Sequence, residues 1–347
     1  MKFIDFFSGI GGFHTGLEKA GMKCIGWCEF DKFAQASYRE MYDTNDLWFG
    51  DDVTKVKGKD LPKADLWTFG FPCQDVSIAG KQKGLKKGTR SGLFYEIMRL
   101  IDECEENKPK WLVCENVKNL LSIDGGGGFL TVISEMAERG YSIEWKVYNS
   151  KDYGVPQNRE RVYIVGYIGG RYTRGLLPTK RESTTVIKQV GNLRETSSFG
   201  GNPQTGRVYS TRGIAPTINT CDGGDREPKI LNAMPCLTPD REEKRQNGRR
   251  LKEDGEPAFT LTNQDRHGVL INKENKNGCQ EISIRKLTPK ECWRLQGFSD
   301  AQYEKAAAVN SNSQLYKQAG NAVTVNVVEE IGRHIMGIAH ENRGIDK

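Results

Sequence analysis

Lys2-Phe3-Ile4-Asp5-Phe6-Phe7-Ser8-Gly9-Ile10-Gly11-Gly12 is a mostly apolar run that breaks into glycines. Lys2 to Phe7 has a strand pattern. Glycines follow at once, and a helix is expected through Leu17 to Ala20. Glycine lets backbone come close to a ligand and adopt positive φ. The spacing here is G-x-G-G, a poor fit to the G-x-G-x-x-G of nicotinamide dehydrogenases.

Working outward, the alternation continues. Lys23 to Cys28 reads as strand, and Asp31 to Met41 as a helix with Asp31 as its cap. Ala64 to Phe69 is a strand, Leu93 to Glu105 a helix, and Trp111 to Cys114 a strand. Phe129 to Arg139 is helical, and Tyr141 to Tyr148 and Arg161 to Tyr167 are strand-like. Strands alternating with helices predict an α/β domain with a largely parallel sheet, whose ligands bind outside the carboxyl ends of the strands.

Composition changes near Gly169-Gly170. To about Ser283 the chain is rich in Thr, Asn, Gly, Asp and Arg. Three similar tracts recur there: Ala215 to Asn219, Met234 to Thr238 and Ala258 to Thr262. Short strands and hairpins in a small separate domain are expected. After Ile284 helical signals return. Thr288 precedes Pro289 and Glu291 in a capping-box pattern, and a last helix runs from about Val323 to Ala339. The expected division is 1–169, 170–283 and 284–347, the last part being the return from the middle domain and a C-terminal helix that completes the first.

A chain of 347 residues can form about two domains. The net charge of +6, from 51 basic and 45 acidic residues, permits a nucleic-acid partner without requiring one. Nine scattered cysteines, no signal-peptide pattern and no apolar run of spanning length lead to the expectation of a cytoplasmic protein with free thiols and no membrane contact. Cys24 and Cys28 stand four apart, but no CxxC pair completes a metal site, so no metal is expected.

The chemistry-bearing residues cluster at predicted strand ends. Pro72-Cys73 follows the apolar run Asp65 to Phe71. From Val76 to Tyr95 there is no acidic residue, while Lys81, Lys83, Lys86, Lys87 and Arg90 are present. A cationic surround raises the thiolate fraction of a cysteine, which suits a nucleophile facing a polyanion. Glu29 ends the second strand and Glu115-Asn116-Val117 follows another. Arg159 and Arg161 precede the strand Val162 to Val165. Taken singly, each of these charges reads equally well as a surface residue.

Together they resemble the DNA (cytosine-5)-methyltransferases of bacteria and phages, as found in restriction–modification systems. The resemblance is carried, in order, by Asp5 to Gly12, Gly70-Phe71-Pro72-Cys73-Gln74, Glu115-Asn116-Val117 and Gln157 to Arg161. It continues in Arg285 to Thr288 through Arg294-Leu295-Gln296-Gly297-Phe298, and in Gly320-Asn321-Ala322-Val323. The resemblance implies a Rossmann-like catalytic domain that uses S-adenosylmethionine and releases S-adenosylhomocysteine, plus a small, mostly β target-recognition domain in the 170–283 insert. It implies that Phe7, Gly9, Ile10, Gly11, Gly12, Glu29, Phe30, Asp52, Val53, Asn321 and Ala322 bind the cofactor. Cys73 would be the nucleophile and Pro72 would fix its approach. Glu115 would meet the Watson–Crick edge of the flipped cytosine and Arg161 its carbonyl oxygen, while Arg159 supports phosphate or loop contacts. Gln74, Ser77, Lys81, Lys83 and Arg90 would lie on a DNA-contacting loop. The implied partner is double-stranded DNA, with a restriction endonuclease as a genetic rather than physical companion, and a monomer is expected. The alternatives are a tRNA cytosine-5 methyltransferase on the same scaffold and a non-catalytic DNA-binding relative. A Rossmann oxidoreductase fails on the glycine spacing.

Overall fold

The structure is a computed structural model that describes residues 1–72, 91–155, 157–169, 175–179, 189–192, 207–210, 229–231, 234–237, 267–270, 284–286 and 288–345. Contacts divide the chain into two compact units, Met1–Ser183 with Pro289–Lys347, and Thr184–Thr288.

In the first unit the order is β1 (Lys2–Phe6), α1 (Gly12–Lys19), β2 (Lys23–Cys28), α2 (Lys32–Met41), β3 (Trp48–Gly50) and β4 (Leu66–Phe69). Then come α3 (Phe94–Glu103), β5 (Trp111–Val117), α4 (Gly127–Glu138), β6 (Ser142–Asn149) and β7 (Glu160–Tyr167). The sheet order is β3-β2-β1-β4-β5-β7-β6. Its first five strands run parallel, and β7 lies antiparallel to both β5 and β6.

Alternation along β1 shows why this sheet must be covered twice. Ile4 and Phe6 enter one core with Phe94, Ile97 and Ile101 of α3 and Val132 and Met136 of α4. Phe3 enters the other with Phe13 and Leu17 of α1. Successive strand side chains point to opposite faces, so a strand buried on both reads as a nearly continuous apolar run.

The second unit contributes β8 (Gln189–Asn192), β9 (Arg207–Ser210), β10 (Lys229–Leu231), β11 (Met234–Leu237), β12 (His267–Leu270) and β13 (Ile284–Lys286). These form a four-stranded sheet, β13-β10-β9-β8, and the antiparallel pair β11–β12. All described elements of this unit are strands. β9 and β10 pair in parallel, which a tight hairpin cannot achieve.

The chain then returns to the first unit through α5 (Pro289–Arg294), α6 (Asp300–Ala307), α7 (Asn312–Asn321) and α8 (Val325–Ile345). Val327, Val328, Ile331 and Ile335 of α8 pack in the α1 core. Val323 joins the same core from just before the helix, so α8 starts two residues later than its apolar pattern predicts.

The first unit runs on past the expected 169/170 boundary. Leu176 and Leu177 are buried in the α1–α8 core. Lys146 Nζ donates to the Leu177 carbonyl and Tyr148 Oη to that of Pro178, which ties 175–179 to the first unit. At the other end β13 pairs with β10, keeping residues 284–286 in the second unit. Among the described residues no helix is long and apolar enough to cross a membrane.

Candidate active site

The carboxyl ends of β1, β2, β3, β4 and β5 share one edge of the sheet. Antiparallel β7 brings its amino end to the same edge, with Arg161 paired to Val117. Most of the expected site residues are found along this edge.

After β1 the backbone turns sharply. Phe7 has φ 54°, a costly value for a residue with a large side chain, and Gly9 also has φ 54°. Gly9 N–H donates to Glu29 Oε2 at 2.7 Å, and Asp31 N–H donates to Oε1 of the same carboxylate at 2.7 Å. Ser8 N–H bonds the Cys28 carbonyl at 3.1 Å. Glu29 thus clasps the loop after β1 to the end of β2. Burial raises the pKa of its carboxyl, and the N–H donors oppose that shift.

The glycines of this loop divide by surroundings. A Cβ on Gly9 would meet nothing within 4 Å, whereas one on Gly12 would strike Val323. Gly9 faces open space and Gly12 is a packing glycine. Phe30, beyond Glu29, is 76% exposed. Asp52 Oδ1 accepts from Thr54 N–H and Oγ1, and these bonds lower its pKa; Val53 is buried beside it. Asn321 ends α7 and is exposed, while Ala322 is buried behind it.

A second cluster lies at the β4–β5–β7 end. Arg161 Nε stands 3.1 Å from Glu115 Oε1. Burial raises the pKa of the Glu115 carboxyl, with the guanidinium groups of Arg161 and Arg159 pulling the other way. The tip of β4 is fitted against this glutamate. A Cβ on Gly70 would come within 3.3 Å of Glu115 Oε2. Asn116 Nδ2 donates to the Phe71 carbonyl at 3.2 Å, so the chain entering Pro72-Cys73 is tied to the residue following Glu115.

Two expectations change here. Glu115 to Val117 lie within β5 rather than after it, because each pairs with β7: Glu115 with Tyr163, Asn116 with Val162, Val117 with Arg161. Arg159 precedes β7 but Arg161 lies within it, and the two go to different partners. Arg159 is 3% exposed, and its Nη2 donates to the carbonyls of Gly320 (3.0 Å) and Ala322 (2.9 Å). It fastens the turn carrying Asn321, while Arg161 turns to Glu115.

Cys73, Gln74, Ser77, Lys81, Lys83 and Arg90 lie outside the described residues, as do the 215–219 and 258–262 tracts. Cys24, Cys28, Cys104, Cys114 and Cys292 are each buried. Burial pushes the thiols of Cys24 and Cys28 up to about 12 and that of Cys104 to about 11. Such thiols are poor nucleophiles at neutral pH. Among the described residues no group of three or more His, Cys, Asp or Glu could hold a metal ion.

A model of the C-5 cytosine-specific DNA methylases matches residues 1–337. The chain belongs to this family. It is 36% identical to the orphan methyltransferase M.SPBetaI of Bacillus phage SPbeta, over 97% of each chain. It is 32% identical to the type II methyltransferase M.HhaI of Haemophilus parahaemolyticus, over 96% of this chain and 94% of that one. Two solved structures share the fold: Entamoeba histolytica methyltransferase EhMeth (TM-score 0.64, 15% identity, 97% and 98% covered) and S. pombe Dnmt2 methyltransferase (TM-score 0.60, 16% identity, 99% of each).

Some residues that build this candidate site escape sequence reasoning. In the sequence Asn116 is only the middle of a tripeptide, yet its amide positions the β4 tip. Gln157 and Gln296 are fully buried and join distant segments: Gln157 Nε2 bonds the Leu295 carbonyl, and Gln296 Nε2 that of Ala319. Two glutamines inside polar motifs were the available signal, since an amide is costly to bury without partners.

Proposed function

We propose that this chain transfers a methyl group from S-adenosylmethionine to carbon 5 of a cytosine in a specific double-stranded DNA sequence. The observation that carries the reading is the Arg161–Glu115 pair at 3.1 Å, set beside the Gly70-Phe71-Pro72 tip that leads into Cys73.

The residues present fit the methyl donor. Gly9 opens into free space, α1 begins without a side-chain cap, and the buried Ser8 hydroxyl has no partner among the described residues. Uncapped N–H groups at a helix start favour an anionic group. Phe7, Gly9, Ile10, Gly11 and Gly12 would hold the amino-acid portion and one face of the adenine. Glu29 would accept from the ribose hydroxyls on lone pairs left by its backbone bonds. Phe30, Asp52 and Val53 would flank the adenine, and Asn321 and Ala322 would close the pocket. When bound, the donor supplies an electrophilic methyl group on a sulfonium sulfur.

The target ring carbon is a poor nucleophile and must be activated. The Cys73 thiolate adds to the adjacent ring carbon, and Pro72 restricts its approach. Glu115, whose carboxyl is shifted by burial toward its protonated form, would donate to the ring nitrogen of the Watson–Crick edge. Arg161 donates to the carbonyl oxygen. Preorganised donors at developing charge are usually the largest catalytic contribution. Carbon 5 then takes the methyl group, loses its proton, and the thiolate leaves. A base inside a duplex cannot be reached in place, so it must be flipped out. Lys81, Lys83 and Arg90, with Gln74 and Ser77, follow the nucleophile in sequence and would supply backbone-binding groups. The Thr184–Thr288 unit would read the sequence, the role its family position supports.

Bisulfite sequencing of DNA from cells expressing the chain tests this reading. Protected cytosines at one recurring sequence are expected. Uniform conversion, with folded protein that binds the donor, would overturn it.

A further inference from the structure

Tyr42 follows α2 directly and points back at the loop after β1. Its hydroxyl donates to the carbonyls of Gly11 (2.9 Å) and Ile10 (3.1 Å). A phenol has one proton, and here it is shared between those carbonyls. The 2.6 Å bond between Tyr42 Oη and Thr15 Oγ1 must therefore be donated by the threonine. Thr15 Oγ1 accepts in turn from Gln302 Nε2 at 2.9 Å. The other end of that amide accepts from Ser299 N–H in the capping box of α6, which fixes which end faces Thr15. A one-way chain of donors thus runs from α6 through α1 to the loop.

Tyr42 is also held in place. The His14 ring stacks on it at 3.9 Å with 12° between planes, and His14 is anchored by Tyr38 Oη (2.6 Å) and Glu18 (3.1 Å). The fit against the loop is tight: a Cβ on Gly11, where φ is 79°, would lie 2.5 Å from Tyr42 Oη. Gly11 is therefore glycine for Tyr42 as well as for its backbone angle.

We propose that Tyr42 is a positioning residue for the donor-binding loop, with Thr15 and Gln302 orienting its hydroxyl. Glu29, ahead of α2, grips the N–H side of the loop at Gly9. Tyr42, behind α2, grips its carbonyl side at Ile10 and Gly11. Helix α2 thus braces the loop from both ends. Fixing the carbonyls fixes the peptide planes, and so aims the neighbouring N–H groups before the ligand arrives. Preorganisation of this kind raises affinity by removing an ordering cost. The proposal rests on the assignment of this loop to S-adenosylmethionine.

The test measures S-adenosylhomocysteine binding by calorimetry, and steady-state methyl transfer, for the full chain and three variants. Tyr42→Phe keeps the ring and loses the hydroxyl. It should weaken binding and raise KM for the donor about ten-fold, the effect of one well-placed hydrogen bond. Its kcat and KM for DNA should stay within about two-fold. Thr15→Val should move the same two quantities about three-fold, and Thr15→Ser should restore them. Should Tyr42→Phe fail to fold, the Thr15 pair decides. Wild-type binding with unchanged donor affinity in the folded variants would overturn the role of Tyr42 alone. Absence of binding by the wild type would overturn the loop assignment, and the proposal with it.

Discussion

Two glutamates stand at strand ends on the same edge of the sheet, and they differ in what satisfies them. Glu29, after β2, receives two backbone N–H groups, from Gly9 and Asp31. Glu115, inside β5, meets the Arg161 guanidinium across the sheet. Burial raises both carboxyls. The first is spent on holding backbone and shapes a binding loop. The second faces a charged side chain that can share its partner with a substrate. Residue type and sheet edge are shared; the neighbours separate a clasp from a chemical group.

This contrast can be broken by substitution. Glu115→Gln should lower kcat for methyl transfer by about 10³-fold, in the range of removing a preorganised transition-state group. Its affinity for S-adenosylhomocysteine should be unchanged, and a matching loss of affinity would erase the distinction between the two sites. Arg161→Lys should cost about 10²-fold in kcat/KM, because an ammonium cannot reproduce the planar fork. Glu29→Ala should do the reverse of Glu115→Gln. Its kcat at saturating donor should hold, while donor KM rises about 30-fold and stability falls by about 2 kcal/mol from freed backbone N–H groups. Equilibrium urea unfolding and donor titration would read both.

The last expected effect falls on stability rather than turnover and concerns a third carboxyl. Asp5, in the middle of β1, is fully buried. It accepts from Thr68 Oγ1 at 2.8 Å, and its Oδ2 has no partner among the described residues. Burial pushes its pKa up to about 8 from 3.8. Across that window the folded chain holds a proton that the unfolded chain releases, so stability falls as pH rises and levels off above the folded value. Asp5→Asn should remove this slope, gaining a few kcal/mol at pH 8 relative to wild type and nothing near pH 4. Unfolding midpoints compared at pH 5 and pH 8 would show it, with methyl transfer unaffected beyond about two-fold.

Much of this was legible in the sequence where a short local signal sufficed. β1 is a run buried on both faces, and the glycines after it announce the turn. Asp31 caps α2 through the N–H groups of Phe33 and Ala34, as its position implied. The family motifs supplied Glu115 and Arg161, although no local pattern indicates that they meet. β3, with only three residues, is too short for periodicity to register. β5 runs on to Val117 because β7 pairs with it, a partner more than forty residues away in the chain. Residues 175–179 join the first unit through bonds to Lys146 and Tyr148, which no composition shift reveals. Tyr42 and Arg159 owe their importance to carbonyls 31 and 161 residues distant. Contacts of that separation depend on the completed fold.

The central claim is that a cysteine sulfur bonds to the cytosine ring before methyl transfer, and duplexes carrying 5-fluorocytosine test it most directly. The fluorine cannot leave as a proton does, so the wild-type chain with S-adenosylmethionine should form a complex that survives denaturing electrophoresis. Cys73→Ser should form none while still binding the donor. Methylation of ordinary cytosine with no trapped complex on the fluorinated duplex, or trapping that persists in Cys73→Ser, would contradict the account.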